Sequence, residues 1–156
     1  MARATDVASY LVYLQNNESE KGSYYSLSNL KLQKMMYYCQ GGHYKWDNRR
    51  LITDNEFEAW KYGPVISEIY HEYSRFGQND IKLISIPTEE YFENALDDDE
   101  RETISSIWQQ LKEYNAFDLV ETSHNETPWL EAKKLNENLI KEETIKKFFT
   151  EDTEGF

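Results

Sequence analysis

Residues 27–44 read LSNLKLQKMMYYCQGGHY. Ser28 is a residue type suited to a helix N-cap, and beyond it Leu32, Met35, Met36 and Cys39 recur at the period of a helix with one apolar face. His43 falls on that stripe, Lys31 and Lys34 face elsewhere, and the pair Gly41-Gly42 is expected to weaken the end of the helix. An amphipathic segment of this kind needs neighbours to cover its apolar face, so the flanking sequence should supply further helices.

It does so on both sides. From Thr5, a plausible cap, Val7, Tyr10, Leu11 and Leu14 fall on one helical face. Between Asn48 and Lys61 the helical period is lost, and Leu51-Ile52 followed by Phe57 and Trp60 around Asp54-Asn55 reads as two short strands or a hairpin. Gly63-Pro64 is expected to open a helix whose apolar face is Val65, Ile69, Tyr73 and Phe76, ending at Gly77. The acids Asp97 to Glu100 suit a helix N-terminus, before the buried stripe Ile104, Ile107, Trp108, Leu111 and Tyr114. Thr127-Pro128 starts another helix with Trp129 and Ala132, and Ile145, Phe148 and Phe149 give the last one its apolar side. The expected fold is mainly α: a single compact domain of about six or seven helices with a small β-hairpin insertion, over residues 1–150, with an acidic frayed tail at 151–156.

Composition narrows the function. At 156 residues the chain has one domain's length and buries roughly 70% of its unfolded surface. Its net charge of −12 opposes sequence-independent attraction to nucleic acid or anionic lipid, which depends on Lys and Arg displacing counterions. Residues 1–78 carry 9 basic and 9 acidic side chains and residues 79–156 carry 8 and 20, so all of the net charge sits in the second half. That asymmetry suits either a solvated acidic surface or a basic partner. The lone Cys39 rules out an intrachain disulfide, no apolar run reaches the length of a membrane span, and Met1 to Asp6 lacks the features of a signal peptide; a cytoplasmic protein is expected.

Reactive constellations are sparse. The chain has no phosphate-cradling glycine loop, no HExxH pair and no GxSxG elbow. Cys39 and His43, four residues apart, could share a metal or form a thiolate-imidazole pair, but both lie on an apolar stripe where a small hydrophobe and a hydrogen-bonded core histidine are ordinary. His71 points with Ser67 and Arg75, away from the Val65/Ile69 face, and is expected to face solvent. Ser123-His124-Asn125-Glu126 gathers a hydroxyl, an imidazole and a carboxylate, although sequence neighbours rarely have triad geometry. Tyr24, Tyr25, Tyr37, Tyr38, Tyr44 and Trp46 cluster around one helix, and aromatic-rich surfaces favour protein recognition.

LSNLKLQKMMYYCQGGHY (27–44), FEAWKYGPVISEIYHEY (57–73) and SHNETPW (123–129), in this order, resemble the Panacea domain, the SocA-like antitoxin family also labelled phage-associated protein. The resemblance implies a helical antitoxin of a two-gene toxin–antitoxin module, a protein binder and not an enzyme, with no cofactor. Its partner would be a cognate protein toxin, for which a basic surface suits the acidic half. An adaptor that delivers its partner to a protease such as ClpXP is the alternative, and a small Cys/His-dependent enzyme a third reading. The matching signature residues are Leu32, Gln33, Gln40, Gly41, His43, Trp60, Gly63, Pro64, His124, Pro128 and Trp129, expected to be structural, while Lys34, Tyr37, Tyr38, Lys61, His71 and Tyr73 are candidates for partner contact. Gly42 departs from the family pattern, which has a bulky residue there, and should loosen the packing at that point. If the acidic half steers the partner, reversing Asp97, Asp98 and Asp99 to Lys slows association at low salt in stopped-flow mixing; an unchanged rate returns those charges to solubility.

Overall fold

Ser28 does cap a helix. Its Oγ accepts from the Lys31 amide at 3.2 Å, and α2 runs over Asn29–Asp47 in the computed structural model, which describes residues 1–152. Gly41 and Gly42 do not weaken it. Gly41 lies against the Phe149 ring, and a Cβ on Gly42 would come within 3.0 Å of Trp46 and 3.2 Å of Ile107, so both glycines mark close packing. The bulky residue expected at position 42 has no room because those two side chains fill the space, and the packing there is tight instead of loose. The helix closes at Asn48, whose φ of 53° is a left-handed conformation that Asn tolerates.

Seven further α-helices surround α2 among the described residues: α1 (Ala4–Glu20), α3 (Ser67–Glu72), α4 (Glu89–Ala95), α5 (Asp98–Leu111), α6 (Ala116–His124), α7 (Thr127–Lys134) and α8 (Glu142–Lys147). A 3₁₀ turn at Ser74–Phe76 follows α3, and a π-helical turn at Phe148–Asp152 follows α8. The expected mainly α domain with one small hairpin is what forms. No helix among the described residues is long and apolar enough to cross a membrane.

Several local expectations change. The first helix starts at Ala4, with extended Arg3 before it, so Thr5 lies inside the helix. The hairpin pairs β1 (Glu58–Trp60) with β2 (Gly63–Val65) around the tip Lys61-Tyr62, not around Asp54-Asn55. Gly63-Pro64 therefore belongs to a strand and starts no helix: Gly63 turns the chain at φ +102°, and α3 begins only after extended Ile66. Two short helices, α4 and α6, were not foreseen. The π-helical turn takes in Glu151 and Asp152, the first two residues of the expected tail; residues 153–156 lie outside the described residues.

Other signals held. Asp97 caps α5 in a reciprocal box, its carboxylate accepting from the Glu100 amide and the Glu100 carboxylate accepting from the Asp97 amide, each at 2.8 Å. Asp97 also accepts from Arg49 at 3.3 Å, so a charge reversal there removes a cap as well as a charge. Thr127 opens α7 with Pro128 in its first turn, and Ile145 and Phe149 are buried.

The largest departure concerns α2 itself. It packs against α1, α3, α5, α6, α8 and β2, and every residue from Lys31 to Tyr44 is buried, Lys31 and Lys34 included. The one-sided stripe is thus a helix enclosed on all sides. Gly41→Ala drives a methyl into the Phe149 ring and should lower the unfolding free energy by about 1–3 kcal/mol in urea titration; an unchanged midpoint would mean that the ring yields freely.

Candidate functional site

A helix without a wet face must satisfy its polar side chains internally, and α2 bonds most of them to the segments around it, although the buried His43 Nε2 has no partner among the described residues. Asn29 donates to the Tyr70 carbonyl at 3.0 Å and to its helix neighbour Gln33 lends its own carbonyl oxygen at 3.1 Å. Gln33 accepts from the Ile66 amide at 3.0 Å, fixing the extended residue just before α3. Gln40 takes the Ile52 amide at 2.8 Å and returns a donor to the Ile52 carbonyl at 3.2 Å and to Glu142 at 2.6 Å. Lys31 donates to the Lys112 carbonyl at the end of α5 at 2.6 Å.

Lys34 reaches the hairpin. Its Nζ donates to the Pro64 carbonyl at 2.8 Å, and a Cβ on Gly63 would stand 2.7 Å from both Lys34 Cε and Ser123 Oγ. Only glycine fits between the lysine stem and α6, which accounts for Gly63 by space as well as by φ. Burial alone pulls the Lys34 ammonium down from its ordinary 10.5 to about 7. One turn further along α2, Tyr38 donates to Glu126 at 3.1 Å, and burial raises that carboxyl to about 7 against the opposing pull of the tyrosines.

The residues proposed for chemistry are each engaged or enclosed. Burial raises the Cys39 thiol well above its ordinary range, which disfavours the thiolate needed for nucleophilic attack or metal binding. His43 is buried with Nδ1 2.9 Å from Thr103 Oγ1 and 3.1 Å from Asp47, and burial lowers its pKa, the hydrogen-bonded core histidine of the alternative reading. Ser123 is buried and donates to the Val120 carbonyl at 2.9 Å, while His124 stacks on Trp129 with ring centroids 4.1 Å apart. Ser123 and His124 form no relay.

The candidate contact residues divide. Lys34, Tyr37, Tyr38 and Tyr73 are buried in the core and present no surface, because α2 is covered by α6 and the final turn and Tyr73 closes α3, which packs against α1 and α2. Much of the aromatic cluster around α2 is core in the same way: Tyr37 packs edge-on against Phe57 and Phe149, and Tyr44 is buried. Lys61 and His71 are exposed, as expected. They flank one aromatic face at the hairpin: Trp60 packs on Tyr70 at 5.0 Å and lies 6.5 Å from His71, and the Trp60 carbonyl accepts from Trp129 at 2.8 Å. Leu32, Gln33, Gln40, Gly41, Gly63, Pro64 and Pro128 are buried or pressed against neighbours.

Two exposed residues of this face escaped the sequence reading. Tyr62 at the hairpin tip and Phe117 in the first turn of α6 meet edge to face at 6.4 Å, and 49% of Tyr62 and 65% of Phe117 stay in solvent. Nothing in the sequence signals their meeting, since one lies in a two-residue turn and the other in an unforeseen helix.

Residues 32–130 match the family described as antitoxin SocA-like, Panacea domain. The chain is also similar to Antitoxin SocA of Caulobacter vibrioides (strain NA1000 / CB15N), 41% identical over 51 residues, which are 33% of this chain and 27% of that protein. The match thus spans about a quarter of the curated relative's length. No solved structure matches the chain.

The buried ionisable pair sets a pH signature. Below pH 7 Lys34 is protonated in both folded and unfolded chains; above it the folded lysine loses its proton while the unfolded one keeps it to 10.5, so stability rises with pH. Glu126 has the opposite sign, since between 4.5 and 7 the folded carboxyl holds a proton that the unfolded one has lost, and stability falls with rising pH. In urea titrations Lys34→Met should flatten the rise from pH 7 to about 9, a change on the order of 2 kcal/mol, and Glu126→Gln the fall on the acidic side. Parallel curves for parent and variants would refute both assignments.

Proposed function

The chain belongs to the antitoxin SocA-like, Panacea domain family, and on that premise we propose that it is the cytoplasmic antitoxin of a toxin–antitoxin pair. It binds its cognate protein toxin directly and blocks it by occlusion. The observation that carries this reading is the family match over residues 32–130, which takes in α2, the hairpin and α6, the elements that build the buried polar framework.

Two features support a binder over an enzyme. Cys39, His43, Ser123 and His124 are held in packing or local hydrogen bonds, leaving no nucleophile poised beside a base. The hairpin is anchored from within by Lys34 and by Trp129, so Lys61 at its tip is presented on a fixed support, which reduces the ordering cost of association. A net charge of −12 fits a partner of opposite sign and disfavours nucleic acid and membrane surfaces.

The test is co-expression with the product of the adjacent gene. The expected outcome is a stoichiometric complex on gel filtration and relief of the growth arrest that the neighbour causes alone. Toxin that disappears only in protease-proficient cells would make the chain an adaptor; neither complex nor relief would overturn the antitoxin reading.

A further inference from the structure

Tyr62 and Phe117 are anchored but uncovered. The hairpin tip is fixed by Lys34 bonding to Pro64 and by the turn at Gly63. The first turn of α6 is fixed by a capping box, in which Asn115 accepts from the Asp118 amide at 2.9 Å and Asp118 accepts from the Asn115 amide at 3.3 Å. Each ring therefore holds a set position, and their edge-to-face contact leaves about half or more of each in water. Pre-placed, desolvatable aromatics of this kind are the side chains that dominate association energies.

The surroundings select the occupant. From Glu113 to His124 the chain carries Glu113, Asp118 and Glu121, all exposed, and no Lys or Arg. Phe117 and Glu121 lie one helical turn apart on the same side of α6. Lys61 lies 5.4 Å from the Tyr62 ring centroid and borders the pair. A second copy of this chain is a poor occupant, because it would set three acids on each side against a single neighbouring lysine, Lys61. Nucleic acid meets the same repulsion.

We propose that the Tyr62–Phe117 pair with its acidic rim is the surface that docks the toxin, and that the toxin offers an apolar side chain flanked by Lys or Arg. The proposal rests on the antitoxin reading and adds to it a face and a partner chemistry. The apolar side chain covers the two rings, and the basic residues meet Glu113 and Glu121, which speeds encounter at low salt.

The probe is the purified product of the adjacent gene, titrated calorimetrically and by stopped flow. Tyr62→Ala with Phe117→Ala should weaken binding by about 30-fold or more. Glu113→Lys with Glu121→Lys should slow association at low salt and lose that effect at high salt. Ile84→Ala, a fully exposed apolar residue in the loop before α4, serves as the control and should bind as the parent does. All variants alter exposed side chains, so their melting temperatures should match the parent's and a loss of binding reports the surface. Parent-like affinity in the double alanine variant, with the complex intact, overturns this docking surface and leaves the antitoxin reading standing. Absence of any complex with the parent overturns that reading and this inference together, and a concentration-dependent dimer that the alanine pair abolishes assigns the face to a second copy.

Discussion

Helix α2 has no wet face, so every polar group on it must find its partner inside the protein. That constraint organises the remainder of the structure. Its lysines, glutamines, asparagine and histidine do not pair with one another for the most part; they reach outward to Lys112, Pro64, Ile66, Ile52, Tyr70 and Thr103. Five of those partners are backbone groups, and three of them, Ile52, Ile66 and Lys112, lie outside the named helices and strands, where they could not otherwise be buried without orphaned amides and carbonyls. A sheet of only two three-residue strands would be marginal alone, and here it is held by a lysine from below and a tryptophan from the side.

The same constraint explains what could be read from the chain and what could not. The helix starts at Ser28, Asp97 and Thr127-Pro128 were legible, because those residues act within a few positions of themselves, whereas Thr5 proved to lie inside its helix. The apolar period of α2 was legible too, but the inference that Lys31 and Lys34 lie outside it was not sound: periodicity reports which side is apolar, and a lysine bonded to a distant carbonyl can be buried on the other side. Gly63-Pro64 carried a helix-start signal that tertiary pairing with Trp60 overrode. Several residues of the family motifs make packing and backbone contacts: Gly41 against the Phe149 ring, Gly63 against the lysine stem, Gln33 and Gln40 with loop backbone. The surface pair of Tyr62 and Phe117 was invisible for a different reason, since exposure at a turn tip and a contact between separate elements are products of the assembled structure alone.

Interior and exterior are thus assigned to different residues. The family match identifies a scaffold, and fold-level likeness does not by itself say what a scaffold holds. Here the residues that build the interior are buried and bonded, while the hairpin tip and the outer side of α6 make few commitments to the fold. Side chains at those outer positions can therefore be read for recognition without first subtracting a structural duty.

The reach of α2 also bears on how the chain comes apart. Its anchors lie in the hairpin, in the loop after α2, before α3 and at the end of α5, so no one of these segments can leave without exposing a polar group that α2 had satisfied. Peeling from an edge is costly at each step, and opening should proceed as one cooperative unit with α2 last. The slowest-exchanging amides would then lie along residues 31–44, and a degradation machine pulling on either terminus would meet its resistance there, at a helix made rigid by what hangs from it.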